Sequence, residues 1–152
     1  MFKKILVAVD GSAVSNNGLD TAVDLAIRYD AQLIVAHAID ESVLPSHHGS
    51  DSFVDHDKLR EAWHKEGAKV IADARKRLAD KQLKLESVLL ESVYSVDDQI
   101  AKAVATNSID LLVIGSHGRR GLQRLFLGSV AEKLARKVDC AVFIVKDRNV
   151  AL

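Results

Sequence analysis

Asp110-Leu111-Leu112-Val113-Ile114-Gly115-Ser116-His117-Gly118-Arg119-Arg120-Gly121 passes from a branched aliphatic run into a glycine-rich one, and Gly128-Ser129-Val130 follows after a short apolar and basic stretch. Leu111 to Ile114 is predicted as a strand buried on both faces, and Ser129 to Val138 as a helix. Strand, glycine loop and helix start together make an anion site. Glycines let the backbone approach a phosphate, and the first N–H groups of the helix point at it with the positive end of the dipole behind them.

The remaining chain repeats the alternation. Ile5 to Val9 reads as another fully buried strand, ended by Asp10. Gly11-Ser12 turns the chain, Ser12 or Ser15 can cap a helix, and Leu19, Ala22, Val23, Ala26 and Ile27 form its apolar stripe. Gln32 to Ile39 is the second strand. Asp40 to Asp57 carries the one proline and no period, so it reads as a long connection. From Asp57 to about Lys81 the positions Trp63, Gly67, Val70, Ile71, Ala74 and Leu78 recur at helical spacing. Leu83 to Leu90 is a more polar strand, suited to a sheet edge. Ser95-Val96-Asp97-Asp98 has the form of a capping box, and Ala141 to Val145 is a last strand.

Five strands alternating with four helices predict one α/β domain over residues 1–152, an open parallel sheet with helices on both faces. Right-handed crossovers leave few windings. If the order is 3-2-1-4-5, the winding reverses between the first and fourth strands, and ligands bind at the carboxyl ends of the strands flanking that reversal. Those ends are Asp10 and Gly115.

Composition narrows the class. The 152 residues are 48% hydrophobic, enough for a core without staples, and 21 basic residues balance 21 acidic ones, which argues against a nucleic-acid or membrane-surface binder. The single Cys140 cannot form an internal disulfide and points to a reducing, cytoplasmic setting. The apolar run after Lys3-Lys4 stops at Asp10, too short for a secretion signal, and no run approaches the roughly 20 residues of a membrane span.

Residue by residue, the predicted crevice suits a nucleotide. Gly115 and Gly118 leave room for a phosphate, and Gly128 with the N–H groups of Ser129 and Val130 offers a helix start. The Ser129 hydroxyl either contacts phosphate or caps the helix, since Ser129-Val130-Ala131-Glu132 also fits a capping box. Asp10 repels phosphate but can accept from ribose hydroxyls or an adenine amino group; alternatively it forms an Asx turn before Gly11. Ala8, Ala38 and Ile114 provide small apolar walls for a base, or ordinary core. His117 lines the loop by its backbone. Arg119, Arg120 and Arg124 can neutralise phosphate, Arg119 lying nearest the glycines. His47, His48, His56, Asp51 and Asp55 match no tight metal spacing, and no metal ligand is assigned. Neither a Gly-x-x-x-x-Gly-Lys-Ser/Thr loop nor a Gly-x-Gly-x-x-Gly after the first strand is present, and no nucleophile with a neighbouring base stands out, so no catalytic residue is assigned.

Gly115-Ser116-His117-Gly118, nine residues, then Gly128-Ser129 resembles the Gly-two-Gly-nine-Gly-Ser/Thr signature of ATP-binding members of the universal stress protein family. Lys4 to Ser12 and Cys140 to Lys146 are similar to that family too, so the likeness spans the chain. The resemblance implies the 3-2-1-4-5 order, an adenine nucleotide in the crevice and usually a homodimer; the expected cofactor is ATP, or AMP or ADP, with Mg2+, and a protein partner is a further possibility left unidentified. It implies base and ribose roles for Ala8, Asp10 and Ala38, and phosphate roles for Gly115, His117, Gly118, Gly128, Ser129 and Val130. An apolar edge strand at Ala141 to Val145 invites pairing with a second copy across a two-fold axis. Two other readings remain: a phospho-accepting receiver domain, with Asp10 ending the first strand and Lys146 the last, and a weak nucleotide-hydrolysing enzyme or kinase.

Overall fold

The computed structural model of the protein describes residues 1–41, 55–118 and 127–147. Its elements alternate as expected: β1 (Lys4–Ala8), α1 (Ala13–Tyr29), β2 (Gln32–Ala38), α2 (His56–Arg77), β3 (Lys84–Leu90), α3 (Val96–Thr106), β4 (Leu111–Gly115), α4 (Ser129–Lys137) and β5 (Ala141–Val145). The five strands form one parallel sheet in the order β3-β2-β1-β4-β5. This differs from the 2-1-3-4-5 order of receiver domains, and that alternative falls on topology.

Alternation along the central strands builds two cores. Ile5, Val7 and Val9 point to one face with α1 and α2 residues such as Leu19, Val23 and Val70. Leu6 and Ala8 point to the other, with Ile100 and Val104 of α3 and Leu134 of α4. Ile5, Leu6, Val7 and Leu112 are wholly buried, as a strand covered on both sides requires. Two N–H groups, of Lys3 and Lys4, donate to the Asp110 carboxylate at 2.8 and 2.9 Å, tying the entry of β1 to that of β4. Those bonds hold the Asp110 carboxyl below its ordinary pKa.

Helix starts follow local chemistry. Ser12, not Ser15, caps α1, its hydroxyl accepting from Ser15 N–H at 3.2 Å. Asp55 caps α2 by accepting from Lys58 N–H at 3.1 Å. Ser95 caps α3, but its hydroxyl also donates to Asp98 Oδ2 at 2.7 Å, so Asp98 does not reach back to the backbone as a capping box would have it. Gly115 belongs to β4 and pairs with Val145, so the loop begins one residue later than the glycine pattern suggests. The strand Ala141 to Val145 is an edge, with Phe143 47% exposed.

Candidate functional site

Because α1 and α2 cover one face and α3 and α4 the other, the chain leaves β1 and β4 in opposite directions. A cavity of about 570 Å³ opens at those carboxyl ends, within the size range of small-molecule sites. Ala8, Asp10, Ala38, Ile114, Gly115, His117, Gly118, Gly128, Ser129 and Val130 all line it. Arg119, Arg120 and Arg124 lie outside the described residues, as do His47, His48 and Asp51.

The glycines are demanded by packing as well as by any ligand. Among the described glycines only Gly11 has a positive φ, 80°; Gly67, Gly115, Gly118 and Gly128 stand where a Cβ would be crowded. A Cβ at Gly118 would lie 2.6 Å from Asp10 Oδ2, one at Gly128 3.0 Å from Ser116 O, and one at Gly115 3.0 Å from Val14 Cγ1. The loop therefore presses directly on the end of β1. Asp10 is held there from its other oxygen: Oδ1 accepts from Ser12 N–H at 2.9 Å, the Asx turn that was the alternative to a ligand role. The Asx turn is thus observed, and Asp10 also lines the cavity.

Ser129 is corrected in one respect. Gly128 is the N-cap of α4 and no side chain caps the helix; Ser129 is the first helical residue. The first bond into the helix is Glu132 N–H to Gly128 O at 2.9 Å, so the N–H groups of Ser129, Val130 and Ala131 have no acceptor within the helix and form the positive end of its dipole. His117 Nδ1 lies 3.1 Å from Ser116 Oγ, a partner supplied by the neighbouring residue.

Three walls come from residues that the pattern of the chain did not single out as site residues. Helix α2 contributes Trp63, Glu66 and Gly67. Trp63 has the spacing of a core position, yet the core of α2 is Gly67, Val70 and Ala74, and Trp63 is half-buried at the cavity. Gly67 brings α2 close: a Cβ there would meet Leu89 Cδ1 at 2.8 Å and His37 Cδ2 at 3.1 Å. His37 is pinned by donating from Nδ1 to Val9 O at 2.7 Å.

Helix α3 contributes Val96, Ile100 and Asp97, the last only 3% exposed. Burial pushes the Asp97 carboxyl up, but hydrogen bonds from Lys137 and Ser95 and the charges of Lys137 and Lys133 outweigh it and hold it below its ordinary value. Lys137 is in turn raised by its bonds to Asp97 and Asp98. Helix α4 contributes Lys133, whose Nζ is 3.5 Å from Asp97 Oδ1. One signal could have found it: Lys133 follows Ser129 by four residues, one helical turn.

The cavity so built has two ends. Ala8, Ala36, Ala38, Ile100 and Ile114 make an apolar wall of small and branched side chains. Gly118, Gly128, Ser129 and Val130 make a polar end rich in backbone donors.

Residues 1–146 match the Universal stress protein family. The chain belongs to that family. Universal stress protein YxiE of Bacillus subtilis is 33% identical over 152 residues, covering 96% of this chain and all of that protein. The solved structure of MJ0577 of Methanocaldococcus jannaschii superposes with a TM-score of 0.80 at 26% identity, covering 99% of each chain. Another universal stress protein, solved in complex with cAMP, superposes with a TM-score of 0.70 at 25% identity, covering 95% of this chain and 97% of its own. Among the described residues no helix is long and apolar enough to cross a membrane.

Proposed function

We propose that this universal stress protein binds ATP, or its mono- or diphosphate, in the crevice between β1 and β4 and acts as a nucleotide-dependent regulatory protein. The observation that carries this is the two-ended cavity: an apolar wall at Ala8, Ala38 and Ile114 for a base, and the backbone donors of Gly128, Ser129 and Val130 for phosphates. Asp10, at the strand end between them, accepts from ribose or base donors. The relative that binds cAMP supports an adenine nucleotide as the class.

Among the described residues no three acids, histidines or cysteines gather as a metal group. Magnesium in this reading therefore enters on the phosphates of the nucleotide, which is its ordinary habit. The half-buried Cys140, whose thiol burial pushes up, suits a reducing cytoplasmic setting.

Thermal unfolding with and without ATP and magnesium tests the proposal. At about a hundred times the dissociation constant, ligand adds roughly 2.7 kcal/mol, a rise of about 5–11 °C for a domain of this size. A melting temperature unmoved by ATP, ADP and AMP alike sinks it.

A further inference from the structure

Building on the proposed nucleotide site, we infer that Lys133 is the residue that selects a long phosphate chain over a single phosphate. Among the described residues lining the cavity Lys133 is the one lysine or arginine, set against the carboxylates Asp10, Asp40, Glu66 and Asp97. It stands one turn after Ser129 on α4, so the two side chains are neighbours on one face. Helical side chains lean toward the N-terminus of their helix, which directs the Lys133 stem toward the donors at the start of α4.

Its present partner holds it loosely. The Lys133 Nζ to Asp97 Oδ1 distance is 3.5 Å, and the lysine side chain is 57% exposed. Lys137 bonds Asp97 directly and also reaches Asp98 Oδ1 at 2.6 Å. If Lys133 turns away, the buried Asp97 carboxylate therefore keeps a cation, and the penalty of an unpaired buried charge is avoided. In the inferred mode, a nucleotide whose first phosphate sits on Gly128 and Ser129 directs its outer phosphates toward that ammonium, which lines the same cavity. A charge-assisted bond to those oxygens is stronger than the long contact it replaces.

Calorimetric titration of ATP and AMP, in EDTA so that magnesium does not mask the ammonium, reads the effect as a ratio of affinities. Lys133→Met should lower the preference for ATP over AMP by roughly tenfold, about 1.4 kcal/mol, and Lys133→Arg should restore most of it. The double variant Lys133→Met with Asp97→Asn separates direct contact from simple neutralisation of Asp97. Its preference stays low if the ammonium touches phosphate; a return to the wild-type ratio overturns the inference. Equal losses for AMP and ATP, or an unchanged ratio in Lys133→Met, overturn it as well while leaving the nucleotide site standing. Absence of binding to the wild-type protein removes both.

Discussion

Gly118→Ala distinguishes a glycine kept for its ligand from one kept for its neighbour. The added Cβ would fall 2.6 Å from Asp10 Oδ2, a separation that has to open. Asp10 cannot swing aside freely, because its Oδ1 accepts from Ser12 N–H at 2.9 Å in the turn that starts α1. Either that bond is lost, at about 1 kcal/mol, or the loop shifts at an overpacking cost of roughly 1–3 kcal/mol. Gly118 does not sit at positive φ, so alanine also restricts the unfolded chain and recovers about 0.4–1 kcal/mol. The net expectation is a loss of up to about 2.6 kcal/mol in the ligand-free protein, a melting temperature lower by up to roughly 10 °C. Differential scanning calorimetry of the ligand-free protein measures it. Asp10→Ala then provides the control: in that background the carboxylate is gone, and Gly118→Ala should be neutral or stabilising. A ligand-free Gly118→Ala protein that melts above the wild-type temperature would refute the packing argument and return the glycine to the ligand alone.

Three further outcomes are expected. Trp63 is the one tryptophan and lines the cavity, so ATP should produce a saturable change in intrinsic fluorescence. An unchanged spectrum at concentrations where calorimetry records binding would move the ligand away from α2. Asp97 has a folded pKa below its unfolded value of about 3.9, so its ion pairs contribute fully above that pH and are lost as pH falls below it. Acid unfolding of Asp97→Asn should accordingly show a shallower loss of stability below about pH 4 than wild type, and parallel profiles would count against the pairing. Finally, Phe143 on the edge strand β5 is 47% exposed, and pairing of β5 with a second copy should give twice the 16.6 kDa chain mass in light scattering. Phe143→Lys should shift that to the monomer, while a wild-type monomer at micromolar concentration removes the dimer.

Much of the site was legible because its determinants are local. The buried runs Ile5 to Val9 and Leu111 to Ile114, the Ser95 cap and the glycine spacing act within a few residues of themselves, so neighbours along the chain suffice to read them, whereas the choice between Ser12 and Ser15 as the first cap stayed open until the fold selected Ser12. Boundaries moved where pairing decided them: Gly115 joined β4 because Val145 lies beside it. The capping reading of Ser129 gave way because Gly128 occupies the cap.

The residues alone determined that strands and helices alternate, that two of the strands are buried on both faces, and that a glycine loop leads into a helix start. Only the tertiary structure decided that Gly118 abuts Asp10, that Trp63 lines a cavity, and that Asp97 is buried between Lys133 and Lys137. The physical reason is separation along the chain. Glycine 118 and aspartate 10 meet through the parallel pairing of β1 with β4, and α3 meets α4 only after both have crossed the same face of the sheet, so no periodicity within either segment records the contact. The spacing of the glycines suggested a phosphate cradle; that Gly118 leans on Asp10, and that Lys133 lines the same cavity, came from the fold.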